Sequence, residues 1–120
     1  MTHILIVSHN TLISKTIATT LQSHSITIHY ADSTQCLISL CRKHHIELIL
    51  FLSLSPYFSS MNIVDYLRQE IKYMPKVYVI SHSHSQTTIL MLLECGVDQY
   101  LTFPLNLYRL RDKVLSQFIQ

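Results

Sequence analysis

Glycine is nearly absent from this chain: Gly96 is the only one in 120 residues, beside three prolines and no tryptophan. No linker, repeat or low-complexity segment interrupts it. Residues 1–120 therefore read as one domain, with enough apolar residues (48%) for a core of its own. Cysteine is scarce and odd in number. Cys36, Cys41 and Cys95 have no CxxC spacing, which argues against a disulfide framework or a zinc knuckle and leaves reduced, buried thiols. Long hydrophobic runs are missing too. The longest, around Leu48 to Leu54, falls far short of the roughly 20 residues of a membrane span, and Met1-Thr2-His3 lacks the basic start of a signal peptide. The expectation is a cytoplasmic domain with no membrane partner. Charge is thin: nine Lys plus Arg against seven Asp plus Glu give +2, too little for a nucleic-acid surface. A charged fraction of 13% is low for a fully solvated surface, so a partner is expected to cover part of it.

What is present alternates in period. His3 to Val7 is a short apolar run, and Thr11 to Gln22 repeats apolar residues at Leu12, Ile13, Ile17 and Leu21 with helical spacing. Ile26 to Tyr30 alternates with period two. Ser33 to His45 returns to helical spacing through Cys36, Leu37, Leu40 and Cys41, with Asp32 or Ser33 able to cap it. Ile46 to Leu52 is a third strand, which Pro56 closes off. Met61 to Lys72 reads as a helix through Ile63, Val64, Leu67 and Ile71, and Pro75 introduces the strand Lys76 to Ser81. Gln86 to Cys95 is the fourth helix, stopped by Gly96. Asp98 to Leu101 is the fifth strand and Leu105 to about Ile119 the fifth helix. Strands one, three and four are almost wholly apolar, which calls for a five-stranded parallel sheet with helices on both faces. The predicted class is α/β, a flavodoxin/CheY-like (βα)5 fold of strand order 2-1-3-4-5. In such sheets ligands sit at the carboxyl ends of the strands, which here carry Ser8, His9, Leu52, Ser81 and Phe103.

Four stretches share one resemblance. ILIVSHN is similar to ILIVDDN, ELILFLSLSP to DLILLDLMLP, VYVIS to VIVLT, and GVDQYLTFPL to GADDYLTKPF. These are motifs of the receiver domain of two-component response regulators, with Pro56, Gly96, Tyr100 and Pro104 fixing the register, and LTFPL resembles the OmpR/PhoB subfamily. The resemblance implies two acids holding Mg²⁺ after the first strand, a phosphate-accepting Asp ending the third, and a Lys after the fifth. This chain has Ser8 and His9, Leu52, and Phe103 at those positions. An aliphatic side chain cannot form an acyl phosphate, and Mg²⁺ prefers carboxylate oxygens. None of the seven acids is expected at that strand edge. The expected site is a degenerate phosphorylation pocket, with no metal, no cofactor and no catalytic residue. Apolar bulk would replace a hydrated, charged site there.

Other candidates weigh less. Ser8 and His9 are adjacent on a strand end, where side chains diverge, and no third group orients the imidazole. Eight histidines, His44-His45 and the His82 and His84 loop among them, raise metal binding. Such a site needs three or four converging ligands, so solvated histidines are the expectation. Ser81 and Tyr100 match the family's switch pair, a hydroxyl after strand four and an aromatic on strand five; without phosphate the pair is expected to be structural.

The fourth helix, TTILMLLECG, has more apolar residues than one inward stripe can hold. The predicted phase turns Leu90 and Leu93 inward and leaves Ile89, Met91 and Leu92 partly exposed. The resemblance implies a two-fold dimer through the fourth helix, fifth strand and fifth helix. Met91 stands where a basic residue is usual, Arg109 where Glu is usual and Leu115 where Arg is usual, while Asp98 and Lys113 keep the family's sign. Ile89, Met91, Leu92, Asp98, Tyr100, Arg109, Lys113 and Leu115 are thus the expected interface, more apolar than the family's. The reading is a phosphorylation-independent pseudo-receiver, the regulatory and dimerisation half of a transcription factor that touches DNA only through a domain beyond Gln120. The alternative is a stand-alone adaptor binding another protein through the same face.

Overall fold

The computed structural model describes residues 2–23, 25–53, 63–81, 86–103 and 105–118. Strands β1 (Thr2–Val7), β2 (Ile26–Ala31), β3 (Ile46–Ser53), β4 (Lys76–Ser81) and β5 (Gln99–Thr102) alternate with helices α1 (Thr11–Leu21), α2 (Thr34–Lys43), α3 (Ile63–Glu70), α4 (Gln86–Glu94) and α5 (Leu107–Phe118). The strands form one parallel sheet in the order β2-β1-β3-β4-β5, the predicted topology. Side-chain alternation divides the core into two layers. Ile4, Ile6, Leu48, Leu50, Leu52, Tyr78 and Ile80 point to one face, against Ile17 and Leu21 of α1 and Leu110 and Val114 of α5. Leu5, Val7, Ile49, Phe51, Val77 and Val79 point to the other, against Leu37 of α2, Leu67 of α3 and Leu92 of α4. Both faces are covered, which is why β1, β3 and β4 read as unbroken apolar runs.

Caps decide where the helices begin. Asn10 Oδ1 accepts from Ile13 N–H at 3.0 Å to open α1. Ser33, rather than Asp32, opens α2 by accepting from Cys36 N–H at 3.2 Å. Asn106 accepts from Arg109 N–H at 3.1 Å, so α5 starts at Leu107 and not at Leu105. The expected start of α3 at Met61, the anchors Pro56 and Pro104, and the ends Ile119 and Gln120 lie outside the described residues.

The end of α4 overturns the predicted helix phase. Gly96 adopts φ +107°; its N–H donates to Leu93 O at 3.1 Å and Val97 N–H to Leu92 O at 3.2 Å. An apolar contact between the residues at its two ends, here Leu92 and Val97, frequently accompanies this paired closure, and both lie in the same buried cluster. Leu92 is therefore pulled in, to 1% exposure, and the turn of the helix carries Leu90 (59%), Met91 (44%) and Leu93 (41%) out to solvent. Leu92 belongs to the core and not to the surface, while Leu90 and Leu93 do not face the sheet.

Candidate functional site

At the carboxyl ends of the central strands the side chains are committed to the fold. Ser8 is buried; its N–H donates to Ala31 O at 3.0 Å and its Oγ accepts from Asn10 N–H at 2.9 Å, closing the turn from β1 into α1. His9 is exposed. Leu52 is 1% exposed and lies in the core cluster against which Phe103, Leu101 and Leu105 pack. Phe103 N–H donates to Ser81 O at 3.2 Å, and Ser81 stands in register with Ser53 and Thr102. The structure thus gathers Leu52, Ser81 and Phe103 along the edges of β3, β4 and β5. Tyr100 lies on the opposite face, half-buried against the α2–α3–α4 layer.

One acid does stand at this end of the sheet, contrary to expectation. Asp32 directly follows β2, and with Ser8, Thr11, Lys15 and Tyr30 it lines an open cavity of about 410 Å³. The parallel register puts Ala31 beside Val7, so the residue after each strand emerges at the same rim. The cavity does not include Leu52. A hard cation such as Mg²⁺ needs several oxygen ligands, carboxylates first. A hydroxyl already accepting a backbone N–H, an exposed imidazole and a buried leucine are a poor donor set for it, and the residues at the family's metal position do not fit that ion.

The predicted interface residues divide. Met91 is exposed on α4, Ile89 and Leu115 are half-buried, and Leu115 packs against the α1–α5 layer. Arg109 is exposed. Asp98 is engaged within its own chain: Oδ2 accepts from Val77 N–H at 2.8 Å, and Oδ1 stands 3.7 Å from Lys76 Nζ. Lys113 Nζ donates to Gln99 Oε1 at 3.1 Å. Asp98 and Lys113 thus serve β4 and β5, and Leu90, Met91 and Leu93 are the exposed apolar residues of α4.

A second group of side chains assembles where no site was expected. His3, His29 and His44 stack in series, with ring centroids 5.2 Å apart for His3–His29 and 4.3 Å for His29–His44. His3 Nδ1 lies 2.9 Å from His29 Nε2. Burial, then the neighbouring His44 and His3 rings, holds the His29 pKa below the ordinary imidazole value of 6.5. His82 and His84 lie outside the described residues. The three cysteines are free and only half-buried, not buried as expected; burial pushes the Cys41 thiol up to about 11. Among the described residues no helix is long and apolar enough to cross a membrane.

Comparisons with known proteins agree with this fold. The sequence pattern of the response regulator receiver domain matches residues 4–115. Similar solved structures include a two-component response regulator from Clostridium difficile (22% identity, 97% of this chain and 94% of that chain, TM-score 0.85). The receiver domain of the Francisella response regulator 1452 is comparable (21%, 95% and 93%, 0.81). A Burkholderia pseudomallei response regulator, described with a phosphorylated aspartic acid, a calcium ion and citrate, also matches (17%, 98% and 72%, 0.78). No curated protein matches this chain.

Proposed function

Because the chain belongs to the response regulator receiver domain family, we propose that it is a receiver that works without phosphorylation: a regulatory and dimerising module, with no catalytic role, of a transcription factor of the OmpR/PhoB type. The observation that carries this reading is Leu52. A side chain with no nucleophilic oxygen, buried at the end of β3 in a cluster that Phe103 helps to close, offers nothing to a phosphodonor. The Burkholderia relative, with its phosphorylated aspartate, marks the contrast. Incubation with a small phosphodonor and Mg²⁺ should leave the intact mass unchanged. A stable phosphoryl adduct would sink the reading.

Dimerisation is proposed through α4, β5 and α5. Leu90, Met91 and Leu93 are large apolar side chains turned to water within two turns of one helix, and exposed apolar patches mark interaction surfaces. A two-fold contact lets each of them serve both copies. A standard interface buries about 1,600 Å² in total, and a charge forced into its apolar centre costs several kcal/mol. Met91→Glu or Leu93→Glu should convert the protein to monomer with its circular dichroism unchanged, while Gln69→Glu on α3 should not. If the wild-type chain sediments as a monomer at micromolar concentration, the same face serves a different protein and the adaptor reading takes over.

A further inference from the structure

Three imidazoles meet on the α2 face of the sheet, at positions where nothing in the receiver function calls for them. His3, His29 and His44 each offer a ring nitrogen, and the three nitrogens lie within 4.8 Å of one another. The backbone accounts for the meeting. In the parallel register Leu5 faces His29 and Thr27 faces His3, so strand alternation puts both imidazoles on the face that α2 covers. His44 is the C-cap of α2, held by its N–H donating to Leu40 O at 2.9 Å. Beside His3 the pairing with β3 slips: Ile46 faces His3 and Leu48 faces Ile4, an irregularity of the kind that re-aims a side chain. All three residues are half-buried, close enough to be preformed and open enough to be reached. Neither ion pair found among the described residues involves them.

We propose that His3, His29 and His44 form a binding site for one borderline divalent transition-metal ion of the zinc class, with water completing its coordination. Imidazole nitrogen suits zinc, copper and nickel and is a poor ligand for magnesium or calcium. Around a tetrahedral ion with bonds of about 2.0–2.1 Å, ligand nitrogens stand roughly 3.3 Å apart. The His3–His29 pair is already at 2.9 Å, and side-chain rotation brings the third nitrogen in. The ion takes the place of the proton these two rings share. Whichever ring donates that proton passes to its other neutral tautomer, so both nitrogens face the ion as lone pairs and no net charge leaves. A bound ion ties β1, β2 and the α2–β3 junction together. The site lies away from Leu52 and stands or falls independently of the phosphate reading.

Calorimetric titration of the whole chain, stripped with a chelator, with Zn²⁺ at neutral pH tests this. One ion per chain should bind with micromolar or tighter affinity. His29→Ala and His44→Gln should each weaken binding at least about tenfold. His45→Gln, whose ring instead lies 4.1 Å from that of Tyr73, and the double variant His82→Ser with His84→Ser should bind as the parent does. Zinc should also shift the ring ¹H–¹⁵N signals of His3, His29 and His44. If His29→Ala fails to fold, His44→Gln at the C-cap of α2 decides alone. The proposal is overturned by any of three results: no saturable binding up to about 1 mM, one ion bridging two chains, or His44→Gln retaining the parent's affinity.

Discussion

The two ends of the sheet have exchanged characters. At the carboxyl ends of the strands, where a receiver keeps its charged chemistry, Leu52 is sealed into the core and Phe103 packs against the same cluster. Toward the amino ends, where packing alone would do, there is a stack of three imidazoles at His3, His29 and His44, a glycine with positive φ, and a carboxylate, Asp98, that accepts from Val77 N–H near the start of β4. Both ends hang on one ladder of parallel strands. The fold favours the carboxyl rim for ligands, and the side chains decide whether that rim is used.

Four substitutions press on that contrast, and the largest effect is expected at the apolar end. Leu52→Asp places an unpaired carboxylate among Leu50, Ile80 and Leu110 and should cost about 3–5 kcal/mol in urea unfolding. It should also gain no phosphate, since neither the lysine nor the metal-binding acids return with it. A fully stable variant, or one readily phosphorylated, would show that this end keeps the family's function. At the amino end Gly96→Ala comes next. A Cβ there would meet Arg68 Nη2 at 2.9 Å and Val64 Cγ1 at 3.0 Å, at φ +107°, and the backbone strain should cost about 1–3 kcal/mol. Arg68 can swing aside; the dihedral cannot be relieved that way. The smallest effect separates two roles of Asp98. Asp98→Ala removes the acceptor of Val77 N–H and should cost about 1–2 kcal/mol. Lys76→Ala breaks only an exposed pair at 3.7 Å and should fall within about 0.5 kcal/mol of the parent. Equal losses from both would mean that the ion pair, and not the backbone bond, fastens this end.

The strands and their order were legible because apolar runs separated by helical spacing leave little choice of topology. The phase of α4 was not. With five apolar residues in succession from Ile89 to Leu93, periodicity fits several rotations equally, and the decision falls to the contact between Leu92 and Val97 around Gly96. Gly96 was visible as the helix stop; that its closure also sets the helix rotation was the missed signal. Asp32 was misplaced for a simpler reason: β2 runs one residue further than its alternation showed, to Ala31, which delivers the next residue to the rim. The imidazole stack depends on the register between β1 and β2 and on the cap of α2, pairings that no local window contains. Two histidines with equal offsets from their strand starts, plus or minus two, are the only hint that the sequence holds.

The strand order also sets a timetable for synthesis. β1 lies between β2 and β3, so the half-sheet β2-β1-β3 can close once Ser53 has left the ribosome, with all three stacked histidines already in it. Until Lys76 follows and β4 pairs, β3 is a bare edge whose residues Leu48 to Leu52 are the most apolar stretch of the chain. At 5–20 residues per second that exposure lasts roughly one to five seconds. An unpaired, largely apolar strand edge is a template for intermolecular pairing. Vulnerability to aggregation is therefore concentrated between the synthesis of β3 and that of β4, before the finished sheet hides β3 at its centre.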